Sequence, residues 1–287
     1  NTFIGAYSGV GTSNVSTGSS NTAVGSFSQN ALTNGNNNSS FGYLSLSDNK
    51  RGDNNVALGN FALSIGSDSV NSNTAVGASS LYNYGTSMSN TAIGANSMFF
   101  KRSGNFNVGL GEATLFNDTT GLANVAIGTF SLFNNRNGDN NTAIGSYGMQ
   151  TNTIGNLNTT LGYSADVTAN NLTNATAIGA RAQAGQSNSL ILGSISGVNG
   201  ASTTINVGIG TNVPDVRLDV NGAIATTSFS TTLSGVSTVA TVTVGNRSFV
   251  KIDNTTAFNK TITLSSGLAD GQRLTILVRS AGSGTVI

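Results

Sequence analysis

The chain has 287 residues, of which only 8% are charged, and its 12 Lys and Arg residues against 11 Asp and Glu give a net charge of +1. This balance argues against a nucleic-acid partner, because binding to a polyanion needs clustered basic residues. The chain has no His and no Cys, so the commonest catalytic bases, nucleophiles and soft metal ligands are absent. No apolar run is long enough for a membrane-spanning helix. We therefore expect a protein that is not an enzyme, holds no cofactor or metal and does not insert into a membrane.

One glycine, called here the repeat glycine, recurs through the first 210 residues, and nine of the twelve steps between its occurrences are 17 residues long. Its occurrences are Gly5, Gly25, Gly42, Gly59, Gly77, Gly94, Gly111, Gly128, Gly145, Gly162, Gly179, Gly193 and Gly210. Such a constant period indicates a solenoid built from stacked repeats.

The residues around the repeat glycine follow a fixed pattern. The residue before it is always large and apolar, the residue two before it is small in most units, and the residue four before it is Asn in eleven of thirteen units. In seven consecutive units, the fourth residue after it is Leu or Met. Short segments of this kind, bounded by Gly and Asn, predict two short strands per unit that join at the glycine. The stack would be an all-β parallel solenoid, with its Asn residues aligned in ladders.

The strand before Gly145 shows why more than one chain is expected. Its residues are Thr142, Ala143 and Ile144, and side chains alternate between the two faces of a strand. Both faces therefore carry apolar or small side chains, which is typical of a strand that is buried on both sides. A coil of 17 residues is too thin to bury both faces by itself. We expect several copies of the chain to pack around one axis, in a number that these residues do not define.

The unit Asn-Thr-Ala-Ile-Gly-x-x-Ser, seen at 90–97, resembles the head repeats of YadA-type trimeric autotransporter adhesins. The resemblance covers residues 1–210 and implies a left-handed parallel β-roll in an intertwined homotrimer. The segment from Val207 to Pro214, with the following residues to Gly222, is similar to a junction in long surface and tail-fibre proteins of Bacteroidetes-type bacteria and their phages. Residues 211–222 would then form a neck, and Pro214, the only proline, suits the end of a stack.

The repeat glycine is absent from residues 223–287. Alternating segments at 236–244, 248–252, 261–264 and 273–278 predict strands, and turn signals such as Asp270-Gly271 separate them. We expect a small antiparallel β domain here. Asn1 lies inside a repeat and Ile287 inside a predicted strand, so we also expect the chain to be a fragment with a truncated last domain.

No catalytic, cofactor-binding or metal-binding residue is predicted, and the receptor-binding residues remain unassigned. The acidic residues Asp53, Asp118 and Asp139 are sparse and lie in turns, so neither a glycosidase carboxylate pair nor a calcium site is favoured over simple turn residues. Arg51-Gly52-Asp53 spells an integrin-type tripeptide, but Asp139 stands in a similar loop 86 residues later. The tripeptide is therefore interpreted as one variant of a repeated turn. Gly208-Ile209-Gly210 lacks the third glycine and the helix of a dinucleotide site.

Aromatic residues are the more interesting candidates. Four of them, Phe27, Phe61, Phe130 and Tyr147, lie two residues after the repeat glycine and predict an internal stacking column. A second group is expected in longer turns, with the charged pair Lys101-Arg102 adjacent to it; its members are Tyr82, Tyr84, Phe99, Phe100 and Phe116. Exposed aromatic side chains beside a charge could contact a glycan receptor, and packing against a neighbouring chain is an equally good interpretation.

The function that these features favour is a structural fibre of a phage tail, or of a phage-tail-like injection system, that attaches to a target-cell surface. Its partners would be two further copies of the chain, a surface glycan or outer-membrane protein, and a baseplate or fibre-adaptor protein at one end. It would lie outside the cell, on the surface of a virion or injection system. Two alternatives stay open: the head of a cell-anchored trimeric adhesin on a bacterial surface, and a polysaccharide-degrading tailspike.

Overall fold

The computed structural model describes residues 1–11, 17–66 and 68–221 in full, and beyond them the backbone of five strands. All regular structure in these residues is β-strand. In chain order the strands are β1 Thr2–Ile4, β2 Thr22–Val24, β3 Ser39–Phe41, β4 Val56–Leu58, β5 Ile65–Gly66, β6 Thr74–Val76, β7 Asn83–Gly85, β8 Thr91–Ile93, β9 Val108–Leu110, β10 Val125–Ile127, β11 Thr142–Ile144, β12 Thr159–Leu161, β13 Asp166–Val167, β14 Ala175–Ile178, β15 Gln183–Ala184, β16 Ser189–Leu192, β17 Val207–Ile209, β18 Leu218–Val220, β19 Ser228–Leu233, β20 Val239–Val242, β21 Phe249–Asn254, β22 Thr261–Leu264 and β23 Thr275–Ser280.

The strands before the repeat glycines form one parallel sheet. Twelve of them stack in chain order as β1-β2-β3-β4-β6-β8-β9-β10-β11-β12-β14-β16, which makes about eleven turns of a solenoid. The register is the one that the repeat predicts, since Val125 pairs with Thr142 and Ile127 with Ile144, each 17 residues further on. The predicted parallel β-solenoid is therefore confirmed.

The interior of the solenoid is narrow and is filled by small side chains opposite Leu and Met. Within β11, Ala143 points inward with no exposed surface, whereas Ile144 on the other face is 37% exposed. The residues four after the repeat glycine, such as Leu115, Leu132 and Met149, are completely buried opposite these small residues. The chain therefore buries one face of its sheet by itself and leaves the other face open.

The prediction of a second strand in every unit is wrong for most coils. Among the described residues of the solenoid, only two pairs of strands form outside the main sheet, β5 with β7 and β13 with β15. The physical reason is the backbone after the repeat glycine. Tyr147 and Met149 both have positive φ, at 59° and 53°, and the residues two and four after the glycine repeat this conformation in other coils. Alternate left-handed residues bend the chain into a turn and cannot continue a strand.

The thirteenth repeat glycine, Gly210, does not extend the main sheet. The strand before it, β17, pairs instead with β18 in a separate two-stranded sheet. The chain divides into two compact units, one of Asn1–Val207 with Pro214–Leu218 and the other of Gly208–Val213 with Asp219–Ile287. In β18 the apolar residues Leu218 and Val220 alternate with the charged Asp219, as is usual in a strand.

The expectation of an antiparallel arrangement in residues 223–287 is wrong. The described strands there form two sheets, β19-β21-β23 and β20-β22, and every pairing is parallel. Consecutive strands lie in different sheets, so the chain passes from one sheet to the other before it returns. The predicted segments match β20 to β23 within a few residues, but β19 was missed. Alternation of apolar residues marks a strand without encoding its direction, which is why the pairing could not be deduced.

We expect Gly145→Ala to lower the stability of the solenoid by about 3 kcal/mol or more, since strain at such a backbone position costs about 1–3 kcal/mol before any steric clash is counted. The φ of Gly145 is 134°, and a Cβ at this position would lie 2.3 Å from the carbonyl oxygen of Gly162 in the next coil. The midpoint of urea denaturation, followed by circular dichroism, measures the change. Gly185→Ala is the matched control, because its Cβ would meet nothing closer than a Thr168 methyl at 4.0 Å. Equal midpoints for the two variants would contradict this close stacking.

Candidate functional site

A ladder of buried Asn side chains holds the turns that precede the strands. Asn38 is completely buried, its Oδ1 accepts a 2.9 Å hydrogen bond from the backbone N of Asn55, and its Nδ2 donates to the carbonyl of Gly52 at 2.8 Å. The same bonds repeat from coil to coil until the Oδ1 of Asn158 accepts from Ala175 at 2.9 Å. The ladder suggested by the recurring Asn is therefore confirmed. It holds each loop in the same position from coil to coil, so the outer side chains stand in regular columns.

The first of these columns is the aliphatic stripe, which we define as the large apolar residues directly before the repeat glycines in the twelve-stranded sheet. They lie on the outer face of the sheet, one above the other. Eight of them are 37% to 58% exposed: Ile4, Phe41, Leu58, Ile93, Leu110, Ile144, Leu161 and Leu192. Val56, Val108 and Leu190 add further exposed apolar surface beside the stripe. Among the described residues, this stripe leaves a row of aliphatic side chains open to solvent along the whole sheet.

The second column is the aromatic column, a continuous series of ring contacts with centroids 4.9 to 6.2 Å apart. Its members are Tyr7, Phe27, Tyr43, Phe61, Tyr82, Phe99, Phe116, Phe133, Phe130, Tyr147 and Tyr163. The guanidinium of Arg181 covers the last ring at 5.8 Å. Stacking was predicted correctly, but the column is not internal, because its rings are half-buried or exposed. It also joins the two groups of aromatic residues that the sequence separates.

Tyr84 does not belong to the aromatic column. It is completely buried, and its ring fills the space that Gly66 leaves in the preceding coil, where a Cβ would lie 2.1 Å from the ring. Burial raises the pKa of its phenol, whose oxygen has no hydrogen-bond partner among the described residues. Gly66 and Tyr84 occupy equivalent positions in consecutive coils, since each lies seven residues after its repeat glycine. Tyr84 is thus a core residue and not a candidate for receptor contact.

Lys101 was expected beside exposed aromatic residues, and this expectation is wrong. Its side chain is completely buried, with the Nζ atom 2.9 Å from Oδ2 of Asp118, which is also completely buried. Both residues lie seven after a repeat glycine, at the inward-facing position that Tyr84 occupies in the coil before Lys101. The aromatic residues next to Lys101 in the sequence gave no sign of this burial. The signal lay in its position in the repeat, since Asn135 and Asn152, which also lie seven residues after a repeat glycine, are buried as well. Of the charged pair Lys101-Arg102, only Arg102 is exposed.

The tripeptide Arg51-Gly52-Asp53 is part of a repeated turn, as the sequence indicated. An Oδ1 of Asp53 accepts a 2.6 Å hydrogen bond from the backbone N of Asn36 in the preceding coil. Asp139 makes the corresponding bond, in which its Oδ1 accepts from Leu122 at 2.8 Å. Both carboxylates are thus engaged by the fold. No group of three or more acidic residues that could hold a metal ion occurs in the part of the chain that the structure describes.

No protein-family model, curated protein or solved structure matches the chain. In the described ranges, no helix is long and apolar enough to cross a membrane. The fold therefore defines the class of protein, a parallel β-solenoid made of 17-residue repeats, and the two outer columns are its candidate functional surfaces.

Asp166 is a buried carboxyl at the C-terminal end of the solenoid. Its Oδ2 accepts from the Thr151 hydroxyl at 2.8 Å, and its Oδ1 accepts from the backbone N of Thr151 and of Val167. Burial raises the pKa of Asp166 in spite of these hydrogen bonds. The folded chain therefore holds this proton more tightly than the unfolded chain, in which the pKa is 3.8. The contribution of Asp166 to stability is complete below that pH and is lost as the pH rises through the folded-state pKa.

We expect Asp166→Asn to be more stable than the wild type at neutral pH, and to lose this advantage below pH 3.8. Urea denaturation at the two pH values measures the difference. Asp68→Asn is the control of opposite sign, because a salt bridge from Lys50 lowers the pKa of the exposed Asp68. Its small effect should be a loss of stability at neutral pH. An Asp166→Asn variant less stable than the wild type at neutral pH would refute the burial argument.

Proposed function

We propose that the chain is a structural fibre segment that projects from a phage tail or a phage-tail-like injection system and takes part in attachment to a target-cell surface. The observation that carries the proposal is the aliphatic stripe. It runs along about eleven turns whose residues are otherwise bound to one another by backbone and Asn hydrogen bonds. A monomeric soluble protein rarely leaves a contiguous apolar surface of this length open. Such a surface supports an assembly in which identical chains cover one another.

The proposed assembly is a homotrimer around an axis parallel to the stack. Each chain presents the same stripe, so a closed ring of identical contacts can bury all copies without leaving one exposed. The inward-facing Ala residues show that the sheet is already packed on its other side. The number three and the left-handed sense come from the resemblance to YadA-type adhesin heads. Extracellular location is proposed on the same basis, with a receptor contact made by turns or by the C-terminal strands.

The trimer is tested by placing charge on the stripe. We expect the double variant Leu110→Lys with Ile144→Lys to shift the chain from trimer to monomer in analytical ultracentrifugation, because desolvating two ammonium groups at the interface is strongly unfavourable. The matched control is the double variant Ile154→Lys with Leu157→Lys, which replaces the same two residue types. These loop side chains are more exposed, at 55% and 50%, and lie outside the stripe. A wild type that sediments as a monomer, or a control that dissociates equally, would contradict an interface made by the stripe.

The fibre role is tested by immunogold electron microscopy on the native source, with an antibody raised against residues 1–210. Gold at the baseplate or along the fibres of a particle is the expected result. Gold spread over a bacterial envelope would favour a cell-anchored adhesin and overturn the tail-fibre assignment. As the control for specificity, the same antibody is first absorbed with the purified chain and should then give no labelling.

A further inference from the structure

The buried pair Lys101 and Asp118 joins two successive coils at a point with no access to water. The two residues are 17 apart in sequence and stand in the same inward-facing column. Both side chains are completely buried, and Nζ lies 2.9 Å from Oδ2. An amine held 2.9 Å from one oxygen of a carboxyl group is within a small side-chain rotation of the carboxyl carbon, which it must approach from above the plane of the group in order to attack.

The backbone of Gly121 contacts both members of the pair. Its N donates a 2.8 Å hydrogen bond to Oδ1 of Asp118, and its carbonyl oxygen accepts from Nζ of Lys101 at 2.5 Å. The same carbonyl also accepts from Nδ2 of Asn107 at 2.9 Å. Oδ1 is therefore polarised by an N–H group, as an oxyanion would be, while Oδ2 faces the amine. The two oxygens of Asp118 have different partners that suit different roles.

The column does not need an ion pair for packing. Two coils further on, Asn135 and Asn152 fill the same position with a neutral amide contact, Nδ2 to Oδ1 at 2.9 Å. A buried ion pair is costly to desolvate and is often no more stabilising than neutral residues in its place. Its presence in an otherwise neutral column therefore calls for a reason beyond folding stability.

We propose that Lys101 and Asp118 join through an intramolecular isopeptide bond that covalently links the two coils. Proton transfer within the pair gives a neutral amine and a carboxylic acid. The amine attacks Cγ of Asp118, and the resulting oxyanion at Oδ1 is held by the Gly121 N–H. Nζ then passes a proton to Oδ2, the C–Oδ2 bond breaks, and Oδ2 leaves as one molecule of water. The product is an amide between Nζ and Cγ, and no other reactant is consumed.

Burial favours the forms of the two groups that react. It lowers the pKa of Lys101 and raises that of Asp118, so both groups are displaced toward the neutral forms that react. The fold holds the reacting groups together, which replaces a bimolecular encounter by an intramolecular one. Exclusion of bulk water also protects the amide from hydrolysis. The chain contains its own comparison, the exposed pair Lys50 and Asp68 at 2.6 Å, where none of these conditions holds.

Mass spectrometry of the purified, folded chain tests the proposal. The expected intact mass is lower than the sequence mass by one water molecule. Trypsin cannot cleave after an acylated lysine, so the digest should contain a branched peptide that joins residues 52–102 to residues 103–136. Fragmentation of this peptide should place the link at Lys101 and Asp118. The Lys50 side chain in the same sample should be unmodified, which separates a built site from simple proximity.

The double variant Lys101→Asn with Asp118→Asn is the matched control, because it copies the amide pair of Asn135 and Asn152 and needs no charge in the interior. It should fold, show the full sequence mass and give no branched peptide. A wild type with the full sequence mass and with free Lys101 in the digest, after prolonged incubation of the folded chain, would overturn the proposal. This outcome leaves the fibre role untouched, since the trimer and localisation experiments do not depend on the covalent link.

Discussion

The repeated contact between the backbones of successive coils at the repeat glycines is the constraint on which the remaining structure depends. The N of Gly145 donates to the carbonyl of Ile127 at 2.8 Å, and its α-carbon faces the carbonyl of Gly162 with no room for a side chain. Because a strand cannot slip by one residue without turning its side chains to the other face, this contact keeps every coil in one register. The Ala interior, the aliphatic stripe and the aromatic column all follow from that register, since equivalent residues of successive coils must lie above one another.

A fixed register makes the narrow interior tolerant of polar residues. An isolated buried amide is unfavourable, but a stacked amide finds its partner in the next coil, as Asn38 does with Asn55. In the column that contains Lys101, residues of successive coils also pair with each other, but the kind of pair differs. It is an ion pair at Lys101, an amide pair at Asn135, and a ring packed over a glycine at Tyr84. Substitutions in such a column are therefore coupled to the coil above and the coil below. If a charged residue is introduced in one coil, the residue at the same position of a neighbouring coil must change to an oppositely charged one, as with Lys101 and Asp118.

Much of the solenoid could be predicted from the sequence because its determinants are local and repeated. The strand before each repeat glycine, its parallel pairing and the Asn ladder needed only the period and the alternation of side chains. Other features depend on information that a pattern does not contain. Tyr84 lies seven residues after its repeat glycine, at the inward-facing position, and Phe99 lies five after, at the position of the aromatic column. That a ring as large as Tyr84 fits inside depends on the absence of a side chain at Gly66 in the preceding coil, which the pattern alone does not specify. The parallel pairing of β19, β21 and β23 could not be deduced, since alternation is the same in both directions.

The two outer columns differ in how much of their apolar surface is covered within the chain, and this difference suggests different roles. Rings of the aromatic column contact each other, as Phe116 and Phe133 do with an interplanar angle of 7°, so much of their surface is already covered within the chain. Within the described part of the chain, the side chains of the aliphatic stripe stay open on their outward side, with eight of them 37% to 58% exposed. From Tyr82 to Phe133 the rings stack flat, so the inner members of this run have ring faces covered by neighbouring rings and less available for face-on contact with a sugar ring. The aromatic column therefore fits a role in holding the coils together, whereas the stripe is the surface that a second copy of the chain has most to gain by covering.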